Sequence, residues 1–241
     1  MKKILIIFLA FATACNLAAQ DSLKVKSEKL SYKDFIIPTA LIATGFVLKS
    51  PNIQTNIQET AKKTFGTDFK TEVDNYIQFA PAAQVLVGNL LGFESKHGYK
   101  QLMTNIAISN IAVGIVTYGV KSTYKDLRPD GSAFNSFSSG HTATAFNNAT
   151  LLFLEYKDSN IWYASSGFVF ATATGVLRLA NNRHWAGDVV AGAGIGIAIA
   201  TVVTYWNPLN FDKKDNKKIG FMGFPLINSQ STGIVFLCRI D

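Results

Sequence analysis

The chain is short of the residues that build disulfides and metal centres. Its 241 residues include two cysteines and three histidines. One of the cysteines, Cys15, lies inside an N-terminal stretch that reads as an export signal, so removal of that stretch leaves Cys238 without an intramolecular partner. Two cysteines also cannot make a structural zinc site. Charge is scarce as well: 16% of residues are charged and 48% are apolar, against roughly 25% charged in soluble domains. That deficit fits a membrane protein or an unusually apolar helical bundle. The net charge is +7, but four lysines sit in one run, Lys213, Lys214, Lys217 and Lys218. The others are scattered without interleaved aromatics, so nucleic acid is a poor partner for this chain.

The first twenty residues have the order of an export signal: Lys2 and Lys3, an apolar run from Ile4 to Phe11, then small residues. Cleavage after Ala19 or Gln20 is one reading; lipidation at Cys15 and a retained anchor are two others. All three imply export from the cytoplasm. Residues 21–75 read as an N-terminal connector with amphipathic or interfacial helices. Within it Phe35–Leu48 is uncharged but shorter than the ~20 residues of a spanning helix, and a turn is expected near Gly66.

From Tyr76 the pattern changes to five helix-length apolar segments: Tyr76–Phe93, Gln101–Val120, His141–Tyr156, Ile161–Leu179 and Val189–Trp206. The expectation is an all-α, membrane-embedded bundle over residues 76–206, with a core of about five to six helices. A polar tail follows at 207–241, in which Thr232–Leu237 looks strand-like. Gln101–Val120 and Val189–Trp206 lack any charged residue and are the most credible spans. The glycines from Gly192 to Gly196 permit close helix packing. With five spans and an outer N-terminus, the lysine run at 213–218 faces the cytoplasm, as positive-inside orientation prefers. The connectors at 121–140 and 180–188 then face the periplasm, in the inner membrane of a bacterial envelope.

Those two connectors, with the helix ends beside them, hold the chemistry. Lys121 is followed after six residues by Arg128-Pro129, and Ser138-Ser139-Gly140-His141 precedes a helical segment. Arg178 is followed by His184 and Asp188. A helix starting near His141 offers backbone N–H groups and a positive dipole end to an anion. There Gly140 permits close approach and Ser139 can donate its hydroxyl, although a Ser-Ser-Gly turn is also an ordinary helix cap. His184 and Asp188, four apart, share a face if a helix begins near Arg183, and a carboxylate on one ring nitrogen leaves the other nucleophilic. A cation such as Arg178 at the end of an apolar helix is costly and usually functional. His97 lies outside these motifs and reads as an ordinary surface residue.

The three stretches together resemble the signature of the type 2 phosphatidic acid phosphatase superfamily, which includes the vanadium haloperoxidases. The order and internal spacings match across about residues 76–206. The resemblance implies a phosphatase that uses no metal or cofactor and acts on a phosphorylated lipid in a membrane. It implies that Lys121, Arg128, Ser139, Gly140 and Arg178 bind phosphate oxygens. His184 would attack phosphorus to give a phosphohistidine, oriented by Asp188, while His141 would protonate the leaving oxygen and then activate water. Ser138 stands where the family usually has proline, and Leu177 where it often has serine. Phrases such as Arg128-Pro129-Asp130-Gly131-Ser132 and Asn181-Asn182-Arg183-His184-Trp185 are similar to those of exported lipid A 4′-phosphatases of Bacteroidetes. A vanadate-dependent haloperoxidase, a soluble periplasmic acid phosphatase and a non-catalytic binder of anionic lipid are the alternatives.

Overall fold

The computed structural model describes Leu30–Asn207, Leu209, Phe211 and the backbone of two strands, Ile219–Ile227 and Thr232–Ile240. The signal, Cys15 and the lysine run at 213–218 lie outside the described residues. The chain divides into two compact units at Leu209/Asn210.

The first unit is helical. A 3₁₀ turn at Tyr32–Phe35 leads into α1 (Ile36–Val47), and α2 (Pro51–Phe65) follows after a bend of 94°. Pro51 at the start of α2 explains the break, because its ring presets the first helical turn and cannot continue the preceding helix. Gly66, at φ 98°, ends α2 where the turn was expected. The expected Tyr76–Phe93 helix is instead broken into α3 (Val73–Ile77), α4 (Ala80–Val87) and a 3₁₀ turn at Asn89–Leu91. Pro81 lacks an N–H and would clash with the carbonyl of Ile77, so the helix stops there and restarts. The remaining helices are α5 (Tyr99–Thr123), α6 (Gly140–Tyr156), α7 (Ile161–Ala180) and α8 (Ala186–Trp206).

Small residues set the packing. A methyl on Gly196 would stand 2.2 Å from the Ala143 carbonyl oxygen of α6, and one on Gly192 would stand 2.6 Å from that of Ser139. On another side of α8, methyls on Gly187 and Gly194 would meet the α1 carbonyls of Gly45 and Pro38 at 2.5 and 2.6 Å. Thus α8 is held backbone to backbone between α1 and α6. Leu102, Leu151, Leu152, Tyr156, Val85, Ala164 and Ala200 form the main apolar cluster.

α5 is apolar outside and polar inside. It buries Gln101, Asn105, Ser109 and Thr117, yet exposes Met103, Ile111, Ile115 and Tyr118. An exposed apolar stripe of this kind fits a lipid environment rather than water. Among the described residues α5 and α8 are long and apolar enough to cross a membrane, rising to three spans if the bent α1–α2 pair counts as one. That is fewer than the five expected. α6 is only 17 residues long and buries Asn147, Asn148 and Glu155.

Glu155 corrects the reading of His97. The two form a contact at 2.8 Å on a carboxylate whose side chain is 1% exposed, and Asn105 donates to the same group at 3.4 Å. His97 belongs to a polar knot where the start of α5 meets the end of α6, opposite the end that carries the motifs.

The second unit is an antiparallel hairpin, β1 (Ile219–Ile227) with β2 (Thr232–Ile240), in register from Ile219 opposite Ile240 to Ile227 opposite Thr232. β2 contains the strand-like run. β1 was not expected, because Gly220, Gly223 and Pro225 weaken its pattern.

Candidate active site

The ends of four helices meet on one side of the bundle: the C-termini of α5 and α7 and the N-termini of α6 and α8. Antiparallel packing of successive helices brings Lys121, Gly140, Arg178 and Asp188 together although up to 67 residues separate them.

α6 starts at Gly140. Ser139 is its N-cap, accepting from the Thr142 N–H at 3.4 Å and sharing a 2.9 Å hydroxyl contact with Thr142. The Ser139 N–H donates to the Asp188 carbonyl at 3.1 Å, which fastens the second motif to the third. Lys121 Nζ donates to the Asn135 carbonyl at 2.5 Å and to that of Ser136 at 3.4 Å. The Ser136 hydroxyl in turn donates to Asp188 Oδ2 at 2.5 Å. Loop 124–139 is also tied to the 181–185 connector, through Trp185 Nε1 to the Leu127 carbonyl at 2.8 Å and Arg183 to Asp130 at 3.2 Å.

His184 and Asp188 are close, but not on one helical face. α7 ends at Ala180, Asn182 takes a left-handed φ of 57°, and α8 begins only at Ala186 with Trp185 as its N-cap. Asp188 is spent on that start, its Oδ2 accepting from the Trp185 N–H at 2.9 Å. His184 therefore stands ahead of the helix, its Nδ1 3.6 Å from Asp188 Oδ2. That is an electrostatic contact rather than a hydrogen bond. Catalytic contacts in unliganded enzymes are commonly long and tighten with substrate. Asp188 has an exposure of 0% and His184 of 2%. Burial pushes the imidazole of His184 down to about 4; Asp188 opposes that shift, and the charges of Lys121 and Arg178 add to it. His184 is thus neutral at ordinary pH.

Lys121 and Arg178 lie within electrostatic reach of both imidazoles, and Arg128 lies within reach of Lys121 and Arg178. Burial, and then the neighbouring Arg178 guanidinium, hold Arg128 below its ordinary value. His141 lies within electrostatic reach of Arg178, Asp74, His184 and Lys121. Nε of Arg128 and Nε of Arg178 are buried without a hydrogen-bond partner among the described residues. Such donors are costly to leave unpaired, and an anion is a ligand with the acceptors they lack. The Ser138 hydroxyl, at the position where proline was the expected residue, is likewise buried without a partner.

Several residues of this site carry no motif. Arg178 Nη1 donates to the buried Asp74 at 2.7 Å, and His141 Nε2 meets Asn75 Oδ1 at 2.8 Å. Lys49 pairs with Asp126 and stands 3.7 Å from Asp188 Oδ1. Asp74 and Asn75 sit in a polar stretch that looks like a connector, and their partners are 104 and 66 residues away. No local pattern marks such pairs.

Residues 99–212 match the PAP2 superfamily. A lipid A 1-phosphatase of Porphyromonas gingivalis is 37% identical over 197 residues, covering 78% of this chain and 44% of that protein. The chain thus spans less than half of that relative's length, and the relative's name carries the 1-position of lipid A where the sequence phrases resembled 4′-phosphatases. No solved structure is significantly similar to the chain. The ordered Lys/Arg, Ser-Gly-His and Arg/His/Asp stretches, gathered at one end of an apolar helical bundle, agree with the family match, and residues 99–212 belong to the PAP2 superfamily.

Proposed function

We propose that the chain is a lipid phosphatase working through a phosphohistidine. The observation that carries this is a pair of buried guanidinium nitrogens, Nε of Arg128 and Nε of Arg178, without a hydrogen-bond partner among the described residues, with Arg178 in electrostatic reach of the neutral, buried His184. Lys121, Arg128 and Arg178 bind the phosphate oxygens, aided by the Ser139 hydroxyl and the Gly140 amide at the start of α6. Charge on those oxygens is the quantity that preorganised donors stabilise in phosphoryl transfer.

Because Nδ1 of His184 faces Asp188, Nε2 is the nitrogen that attacks. The phosphorus–oxygen bond to the lipid breaks as the nitrogen–phosphorus bond forms; His141, kept neutral chiefly by burial, enters this step as the imidazolium that the bound phosphate's negative charge stabilises, and delivers that proton to the leaving oxygen. His141 then takes a proton from water, which attacks the phosphohistidine and releases inorganic phosphate. Asp188 stabilises the positive charge that His184 carries in between.

The exposed apolar stripe of α5 and the two spanning-length helices support a membrane-bound enzyme acting on a membrane lipid. The similarity to a lipid A 1-phosphatase makes lipid A the first substrate to test, and the export signal with the lysine run at 213–218 favours a site on the periplasmic face of the inner membrane. His184→Ala is expected to abolish phosphate release from lipid A while the purified protein stays folded. Release unchanged in that variant would sink the phosphohistidine route. In a deletion strain, mass spectrometry is expected to show lipid A with one additional phosphate; unaltered lipid A would point to another phosphorylated lipid.

A further inference from the structure

Lys49 is outside all three motifs and outside the region that matches the family, yet it is built into the site. It follows α1, whose end packs against the start of α8 so closely that a methyl on Gly187 would meet the Gly45 carbonyl at 2.5 Å and Lys49 Cγ at 3.0 Å. The lysine stem is thereby laid across Gly187, one residue before Asp188. The ammonium rests 4.8 Å from the centre of the Phe137 ring, which packs on Phe46 with centroids 5.0 Å apart. It bridges two carboxylates, Asp126 and the fully buried Asp188. Asp188 Oδ1 has no hydrogen-bond partner among the described residues and Lys49 is the cation in contact with it, while Ser136 and the Trp185 N–H hold Oδ2.

We propose that Lys49 is a positioning residue for the reaction, holding Asp188 ionised and aimed at His184 from the side opposite the imidazole. The inference rests on the phosphohistidine reading of the site. Asp188 is faced by His184 from the connector, Lys49 from the end of α1, Lys121 from α5 and Arg128 from the loop. In the proposed reaction Lys121 and Arg128 bind the phosphate. Lys49 alone of these cations contacts both Asp188 and Asp126, where two carboxylates would otherwise repel each other. An opposite charge within ~4–6 Å favours the ionised form of a carboxylate. An ionised Asp188 can balance the positive imidazole formed on phosphorylation, whereas a protonated one cannot.

The test uses the full-length protein in detergent and follows phosphate release from lipid A and from a short-chain phosphatidic acid across pH. Lys49→Met is expected to lower kcat on the order of 10-fold or more with little change in KM. That is the range lost when partners that orient metal ligands, a comparable supporting role, are removed. It is also expected to move the acid limb of kcat/KM upward, because the lost cation no longer disfavours protonation of Asp188 or of the His184 imidazole beside it. Lys49→Arg is expected to restore most of the rate and the wild-type limb. Asp126→Asn, which cuts only the other arm of the bridge, is expected to leave both near wild type. A Lys49→Met enzyme with the wild-type pH profile, or an Asp126→Asn enzyme that reproduces the Lys49→Met loss, would overturn the proposal and make Lys49 a tether of α1. Loss of folding in Lys49→Met transfers the decision to the Arg and Asp126 variants, which fold with a charge-preserving or smaller change. Failure of the phosphohistidine reading itself would show differently, as wild-type turnover that survives His184→Ala.

Discussion

Replacing Gly196 by alanine adds one methyl where α8 crosses α6, and no flexible side chain is there to yield. The new carbon would stand 2.2 Å from the Ala143 carbonyl oxygen, 2.8 Å from the Asn147 nitrogen and 3.0 Å from the Ala143 carbonyl carbon. All three are backbone atoms of α6, so relief requires the helices themselves to part. Ordinary contact begins near 3.4 Å, which makes the separation about 1.2 Å. Overpacking of this kind costs about 1–3 kcal/mol, and each kcal/mol lowers the melting temperature of a protein of this size by roughly 2–4 °C. The same displacement acts on catalysis, because α6 begins at Gly140 and His141 while α8 begins beside His184 and Asp188. A misplacement of ~1 Å at reacting groups costs about 100-fold in rate. Gly114→Ala is the control: that position, on α5, has nothing within 4 Å of the added carbon. Alanine there is expected to be neutral or to stabilise by up to ~1 kcal/mol through its helix propensity. Thermal unfolding in detergent and phosphate release under saturating lipid measure the two effects. A Gly196→Ala protein with wild-type melting temperature and kcat would refute the backbone-to-backbone packing of α6 and α8.

Two further outcomes follow from the site and from the opposite end of the bundle. Burial holds the His184 imidazole near 4, so the nucleophile stays unprotonated well below the ordinary histidine value of about 6.5. The acid limb of kcat/KM set by this group is therefore expected near pH 4, and a limb at 6.5 would contradict the burial described. Between those two values the unfolded chain binds the proton and the folded chain does not, so this group makes stability rise with pH across that window. At the other end, Glu155→Ala removes the buried acceptor of His97 and Asn105. Breaking a buried pair costs about 3–5 kcal/mol; the melting temperature is expected to fall while kcat of the remaining folded protein is unchanged. Equal losses in stability and kcat would place this knot in communication with the site.

Local chemistry was open to reading from the residues alone. Ser139 caps a helix because a hydroxyl before a glycine-started apolar run has N–H groups to accept from, and α6 does begin at Gly140. The apolar lengths of α5 and α8 are properties of composition, and the small residues of α8 do serve close packing. Pro81 and Pro51 could have signalled the breaks in the N-terminal half, since each removes a donor and crowds the preceding turn. The His184/Asp188 spacing misled in one respect. The pair is adjacent, but the carboxylate is drawn into starting α8 and the imidazole stands outside the helix.

What sequence alone determined is the inventory: three cations, two imidazoles and a carboxylate at motif spacing, next to helix ends that fall on one side of an antiparallel bundle. Only the tertiary structure decided which groups attend them. Asp74 on Arg178, Asn75 on His141, Ser136 on Asp188 and Lys49 between Asp126 and Asp188 join residues 52 to 139 positions apart. A cap or a helical face is set by neighbours within a turn. The partner of a buried charge is set by which helices the glycines of α8 allow to touch, and that is a property of the packed molecule.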